Sequence, residues 1–179
     1  MRLLFVRHAI AMDRLEFEGD DLLRPLTPRG KKKARKAFRG LLRLYEKLDL
    51  IYSSRAIRAR ETAELLQQAF YLPPCRETEA LNPGADFNDL RKLLGELPSG
   101  LETVALVGHE PDFSEMISGL IGRPPDSQAP TVDSNIEVKK GSCVEIHMVG
   151  PDTGLMANML TPRVLRMLAD MGEPGYKKK

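Results

Sequence analysis

Apolar residues occur along this chain in two rhythms. Short apolar runs at 3–6, 48–52 (LDLIY) and 103–107 (TVALV) read as buried strands of a sheet covered on both faces. Between them, apolar positions recur at helical spacing. Thr27 is a predicted N-cap with Pro28 at the first helical position, and Ala34, Ala37, Phe38, Leu41, Leu42, Tyr45 and Leu48 then form one stripe. That pattern predicts a helix to about Lys47. A second helix follows Ser53 and Ser54 and buries Ala59, Ala63, Leu66, Ala69 and Phe70. A third is predicted over 87–94, and a fourth from Pro111, burying Phe113, Met116, Ile117, Leu120 and Ile121. Residues 143–148 alternate, with Glu145 and His147 facing outward, and a Gly-Pro-Asp-Thr-Gly turn leads into 155–160 as a half-exposed edge hairpin. Residues 9–26 and 122–142 remain as long loops, the kind that are usually functional or mobile.

Strands alternating with helices predict an α/β fold. The expected form is a three-layer α/β/α sandwich whose central sheet is mostly parallel, with an antiparallel edge strand. Residues 1–170 are expected to form one domain and 171–179, ending in three lysines, a disordered tail.

Composition changes this picture little, but it removes several classes. With 42% hydrophobic and 29% charged residues, the chain has the make-up of an ordinary globular protein. Its net charge of +2 argues against a nucleic-acid coat protein. Cys75 and Cys143 lack CxxC spacing and read as buried thiols in a reducing compartment. With no export signal and no membrane-length apolar run, the expected location is the cytoplasm. The basic stretch GKKKARK (30–36), followed by Arg39 and Arg43, has no interleaved aromatics for base stacking. It reads as a solvated helix face, or as a docking surface for an acidic partner protein. Arg60 is expected to pair with Glu64 one turn on.

Candidate chemistry collects where strands end, because ligands of open α/β sheets bind beyond the carboxyl ends of the strands. The first strand delivers Arg7 and His8, the second Ser53, Ser54, Arg55 and, one helical turn in, Arg58, and the third Gly108 and His109. Imidazoles, guanidiniums and helix N-termini at one edge are suited to hold an anion. His147, on an edge strand, reads as structural. HxxxH or HxH spacing and a cysteine partner are both missing, so no metal is expected, and no cofactor.

These residues resemble a known family. Arg7-His8-Ala9, SSRAIRARETA (53–63) and VGHEP (107–111) resemble, in order and separation, the histidine phosphatase, or phosphoglycerate mutase-like, superfamily. Within it, RPLTPRG (24–30), VKKGSCVEI (138–146) and LTPRVL (160–165) look like the SixA-type phosphohistidine phosphatases. The resemblance covers nearly the whole chain. It implies a phosphoglycerate mutase-like fold with His8 as the nucleophile that becomes phosphorylated. Arg7, Arg58 and His109 would complete the phosphate pocket. Phosphoryl transfer asks mainly for positioning and positive charge around the equatorial oxygens, which these groups supply without a metal. The attacking nitrogen of His8 must be neutral, so its other nitrogen is expected to donate to a backbone carbonyl or similar acceptor. The implied partner is a phosphorylated protein, such as a histidine-containing phosphotransfer domain, or a small phosphate ester.

Three positions depart from the family pattern. Ala9 replaces the usual glycine, and its methyl group could exclude a positive-φ geometry. Arg55 stands where many members have proline and reads either as an additional phosphate or rim contact for substrate or as a solvated side chain. Ester-cleaving members place a glutamate after the second helix, where ETEALNPGAD (77–86) puts Ala80, with Glu79 one residue earlier. Alkoxides need a positioned acid to leave, whereas an imidazole leaves protonated on its far nitrogen. The leading expectation is therefore a metal-independent phosphatase of phosphohistidine on a protein. The alternatives are a phosphatase of small esters using Glu79 or Asp86 as acid, and a noncatalytic phosphate-recognition module.

Overall fold

The computed structural model describes residues 1–122 and 136–171. Its centre is a sheet of six strands: β1 (Arg2–Arg7), β2 (Leu50–Ser54), β3 (Cys75–Thr78), β4 (Thr103–Gly108), β5 (Cys143–Met148) and β6 (Gly154–Leu160). Their spatial order is β3-β2-β4-β1-β5-β6. The first four in that order are mutually parallel, β5 is antiparallel to β1, and β6 is antiparallel to β5. The reversed strand is thus the penultimate one, not the edge strand. The hairpin turn that reverses the chain after β5 brings β6 back into the direction of the parallel set.

Helices cover both faces, as the unbroken apolar strands require. Leu4 and Val6 of β1 point to one face, where they join residues of α1 (Pro28–Leu41), α2 (Ile57–Ala69) and α5 (Pro162–Asp170) in one core. Leu3 and Phe5 point to the other, against α4 (Asp112–Ile121) and α3 (Phe87–Gly95). The result is the three-layer sandwich expected from the pattern.

Several boundaries differ from expectation, each for a local reason. Thr27 caps α1 as predicted, its hydroxyl accepting from the Gly30 N–H, but the helix ends at Leu41. The following amides of Arg43 and Leu44 bond three residues back, to Gly40 and Leu41, which tightens the chain into a turn. Tyr45 and Leu48 are buried all the same. Their periodicity reported burial, not helix. β2 runs on through Ser53 and Ser54, which are buried strand residues. β3, a polar and largely exposed edge strand, carries no apolar alternation and escaped the pattern. Cys75 opens it and is exposed, contrary to expectation, while Cys143 is buried. Helix α5 was also missed, although Thr161-Pro162 repeats the capping signal of Thr27-Pro28.

Glu145 is buried rather than outward-facing. It accepts hydrogen bonds from the Tyr45 hydroxyl at 2.9 Å and from Asn158, and pairs with half-exposed His147 at 2.8 Å. Within 9–26 the chain forms a single bridge between Ala11 and Leu26 and a short 3-10 turn over Asp21–Leu23. Most of the predicted loop at 122–142, and nearly all of the predicted tail, lie outside the described residues. No described helix is long and apolar enough to cross a membrane.

Candidate active site

Strand register sets the site. Arg7 pairs with Gly108 across β1 and β4, so the next residues, His8 and His109, leave the sheet side by side. The His8 amide donates to the Gly108 carbonyl at 3.0 Å, and the two imidazole centroids lie 5.1 Å apart. Strand β2, beside β4, ends at Ser54 and leads directly into the first turn of α2, which carries Arg58.

His8 is 5% exposed, and its Nδ1 lies 2.8 Å from the Ala9 carbonyl. A carbonyl oxygen can only accept, so Nδ1 holds the proton and Nε2 keeps a free lone pair. Burial, then the charges of Arg58, Arg7 and Lys140, lower its pKa to about 3, against the raising effect of the Ala9 carbonyl. The ring is neutral at physiological pH.

His109 lies deeper. Its Nε2 is 2.8 Å from the Ser54 hydroxyl, which in turn donates to Asn82 Oδ1 at 3.1 Å. The hydroxyl proton is then used, and His109 Nε2 is the donor in their contact. Nδ1 of His109 is buried with no partner. Burial first, then the neighbouring His8, Arg58 and Arg7, lower its pKa to about 2, with Asp21 opposing.

The two arginines are held from behind. Arg58 donates through Nη1 to the Asp21 carbonyl at 2.6 Å and through Nη2 to Asp21 Oδ2 at 2.9 Å. Asp21 is braced by Arg24, whose other end donates to the Met12 carbonyl at 2.6 Å. Arg7 donates through Nη1 to the Val138 carbonyl at 2.8 Å, and Glu110 accepts from the Val138 amide at 2.8 Å. The Nε of each arginine is buried without a partner. Buried donors are normally satisfied. Here the Nε donors of Arg7 and Arg58 have no partner, nor has the lone pair of His109 Nδ1, and His8 lies within reach of both arginine charges.

Ala9 is explained by this geometry. Among the described residues the only positive φ angles outside glycine are at Tyr71 and Leu72, so Ala9 sits in ordinary backbone space. Its amide donates to the Thr62 hydroxyl at 3.0 Å, which donates to the Arg58 carbonyl at 2.6 Å. Thr62 thereby ties the His8 strand end to the Arg58 turn.

The remaining predicted residues lie apart from this group. Arg55 and Glu79 form an ion pair with each other, and both are exposed. Asp86 caps α3, accepting from the Asn88 and Asp89 amides. Arg60 pairs with Glu77 of β3 at 2.9 Å, not with Glu64. Among the described residues, no three His, Cys, Asp or Glu side chains are grouped to hold a metal. Sequence reasoning missed Asp21, Thr62, Asn82 and Glu110. Asp21 had a signal, as one of several acids in a long loop of a chain whose strand ends were otherwise basic.

Comparison with known proteins decides the family. Residues 3–84, which include Arg7, His8 and Arg58, match the model of the histidine phosphatase superfamily (branch 1). An uncharacterised protein of Picosynechococcus sp. is 33% identical over 116 residues, 64% of this chain and 70% of that protein. The chain belongs to the histidine phosphatase superfamily. Its fold is shared with the protein histidine phosphatase SixA complexed with tungstate, at TM-score 0.75 and 20% identity over 92% of this chain and 99% of that one. It is shared as well with the alpha-ribazole phosphatase of Shigella flexneri, at TM-score 0.69 and 18% identity over 90% and 97% of the two chains. A phosphoserine phosphatase of Entamoeba histolytica gives TM-score 0.64 and 16% identity over 92% and 98%. Superfamily membership supports a phosphatase activity.

Proposed function

We propose that this protein is a metal-independent phosphatase that hydrolyses phosphohistidine on a protein, by way of a phosphorylated His8. The observation that carries the proposal is that Arg7 Nε, Arg58 Nε and His109 Nδ1 are buried without partners, while the charges of both arginines and the ring of His109 reach His8, whose Nε2 keeps its lone pair. A phosphoryl group brings three equatorial oxygens and negative charge, and donors aimed there stabilise the transition state.

In the first step Nε2 of His8 forms a bond to phosphorus as the bond to the substrate nitrogen breaks. The leaving imidazole takes that electron pair and departs neutral, its far nitrogen already protonated. In the second step the oxygen of a water bonds to phosphorus, the bond to Nε2 breaks, and His8 recovers its lone pair as inorganic phosphate forms. When a phosphoryl dianion binds, its charge offsets the burial penalty, His109 Nδ1 takes a proton from solvent, and the N–H then donates a hydrogen bond to a phosphoryl oxygen.

The choice of phosphohistidine rests on the carboxylates. Asp86 is occupied as a helix cap, Asp21 by Arg58 and Arg24, and Glu110 by Ser114 and the Val138 amide. Glu79 is the one remaining acid considered, and it is paired with Arg55. A leaving group that needs no acid suits this arrangement. Hydrolysis of small esters is the second reading, supported by the exposure of that ion pair, which leaves Glu79 free to exchange partners. Rates on a phosphohistidine protein and on a panel of alkyl phosphates, for wild type and Glu79→Gln, distinguish them. The expected result is a strong preference for phosphohistidine that Glu79→Gln leaves unchanged. Faster alkyl phosphate turnover that collapses in Glu79→Gln would establish the ester reading instead.

A further inference from the structure

The basic stretch of α1 is not uniform. Lys31 pairs with Glu61 and Lys36 with Asp170, so these two are neutralised by the acids that meet this face. Lys33, between them, instead lines a groove of about 390 Å³ formed by α1, the start of α5 and the turn at 139–141. Lys139, Lys140, Arg163 and Arg166 line it too, and no acid does. None of the five forms an ion pair among the described residues. Charged side chains on a protein surface usually have both signs interspersed. Five unpaired cations in one concavity concentrate field there and attract an anionic ligand.

This groove opens beside the phosphate site. Ala9 and Ile10, the residues after His8, form part of its wall, and the charge of Lys140 is one of those felt by the His8 ring. Its floor is aliphatic, made by Ala34, Ala37 and Pro162 with Ala9 and Ile10. A ligand matching both features carries carboxylates together with small aliphatic groups. A nucleic-acid strand matches less well, since no aromatic ring lines the groove for base stacking.

We infer that this groove docks an acidic segment of the substrate protein, one that flanks the phosphorylated residue and lies across α1 and α5 while the phosphoryl group sits at His8. The inference rests on the phosphohistidine reading above and names the chemistry of its partner.

The test is binding of the full chain to fluorescent peptides, followed by anisotropy. The peptides carry either a non-hydrolysable phosphonate analogue of phosphohistidine or plain histidine, flanked by either Glu/Leu or Ser/Leu residues. The acidic flanks are expected to tighten binding about tenfold at low salt, an advantage that shrinks as salt rises. The Lys33→Glu/Arg166→Glu variant is expected to lose that advantage while hydrolysing a small phosphoramidate at the wild-type rate. Arg163→Glu, at an exposed position, should halve or further reduce the advantage and guards against misfolding of the double variant. Equal binding of acidic and neutral flanks, or an advantage that survives in both variants, would overturn the inference. So would competition by single-stranded DNA as strong as that by the acidic peptide. If acidic flanks help but phosphonate adds nothing over histidine, the groove stands and the phosphohistidine reading fails.

Discussion

His8 and His109 share one design: each ring is buried, fixed at one nitrogen by a neutral partner, and left open at the other. Arg58 does the same with a guanidinium, spending Nη1 and Nη2 on Asp21 and keeping Nε. Lysine at that position keeps the charge but loses the fork, so Arg58→Lys is expected to lower kcat/KM by about 10² to 10³. Steady-state kinetics on a phosphoramidate check this, and a loss under threefold would remove Arg58 from the site. Thr62 was invisible in the sequence because a threonine inside a helix has many neutral explanations. Only the fold shows its hydroxyl accepting from the Ala9 amide. Thr62→Val leaves that buried amide unpaired and is expected to destabilise the protein by about 1–3 kcal/mol, measurable by urea titration.

Among the elements, those with buried apolar faces were legible and those without were not. Strands β1, β2 and β4 are built on short apolar runs, and the sequence places Arg7, His8 and His109 where such runs stop, with Arg58 one turn into the helix that follows β2. Strand β3 and the position of the reversed strand depend on pairing with neighbours, which no local pattern encodes. The end of α1 was misplaced because burial continues past it. Its true limit is tied to α5: a Cβ on Gly40 would lie 1.8 Å from the Leu165 carbonyl oxygen. Gly40→Ala must therefore push the two helices apart, and about 1–3 kcal/mol of destabilisation is expected. An unchanged thermal midpoint would mean the helices separate freely. The role of Asp21 was hidden for a related reason, since a loop acid finds its partner only through tertiary structure.

For the whole molecule, the two buried histidines link stability to pH. Their folded-state pKa values, about 3 and about 2, lie below the ordinary 6.5, so between these limits the unfolded chain binds more protons than the folded one. Stability is therefore full above pH 6.5 and falls as pH drops. Each histidine contributes a loss of about 1.4 kcal/mol per pH unit, or roughly 2 kcal/mol between pH 6.5 and 5. Urea unfolding across that range checks the slope, and His8→Asn should shallow it by about half. A bound phosphate analogue should oppose the acid loss by stabilising protonated His109, whereas a slope indifferent to both would contradict the buried neutral rings.

The central claim is that His8 itself carries the phosphoryl group. Rapid mixing with a ³²P-labelled phosphoramidate, an alkaline quench and peptide mapping test it most directly. The account predicts an acid-labile, base-stable label on His8 that is absent from His8→Ala and unaffected by chelators. A label on another residue, a label that persists in His8→Ala, or turnover with no phosphoenzyme at all would contradict it.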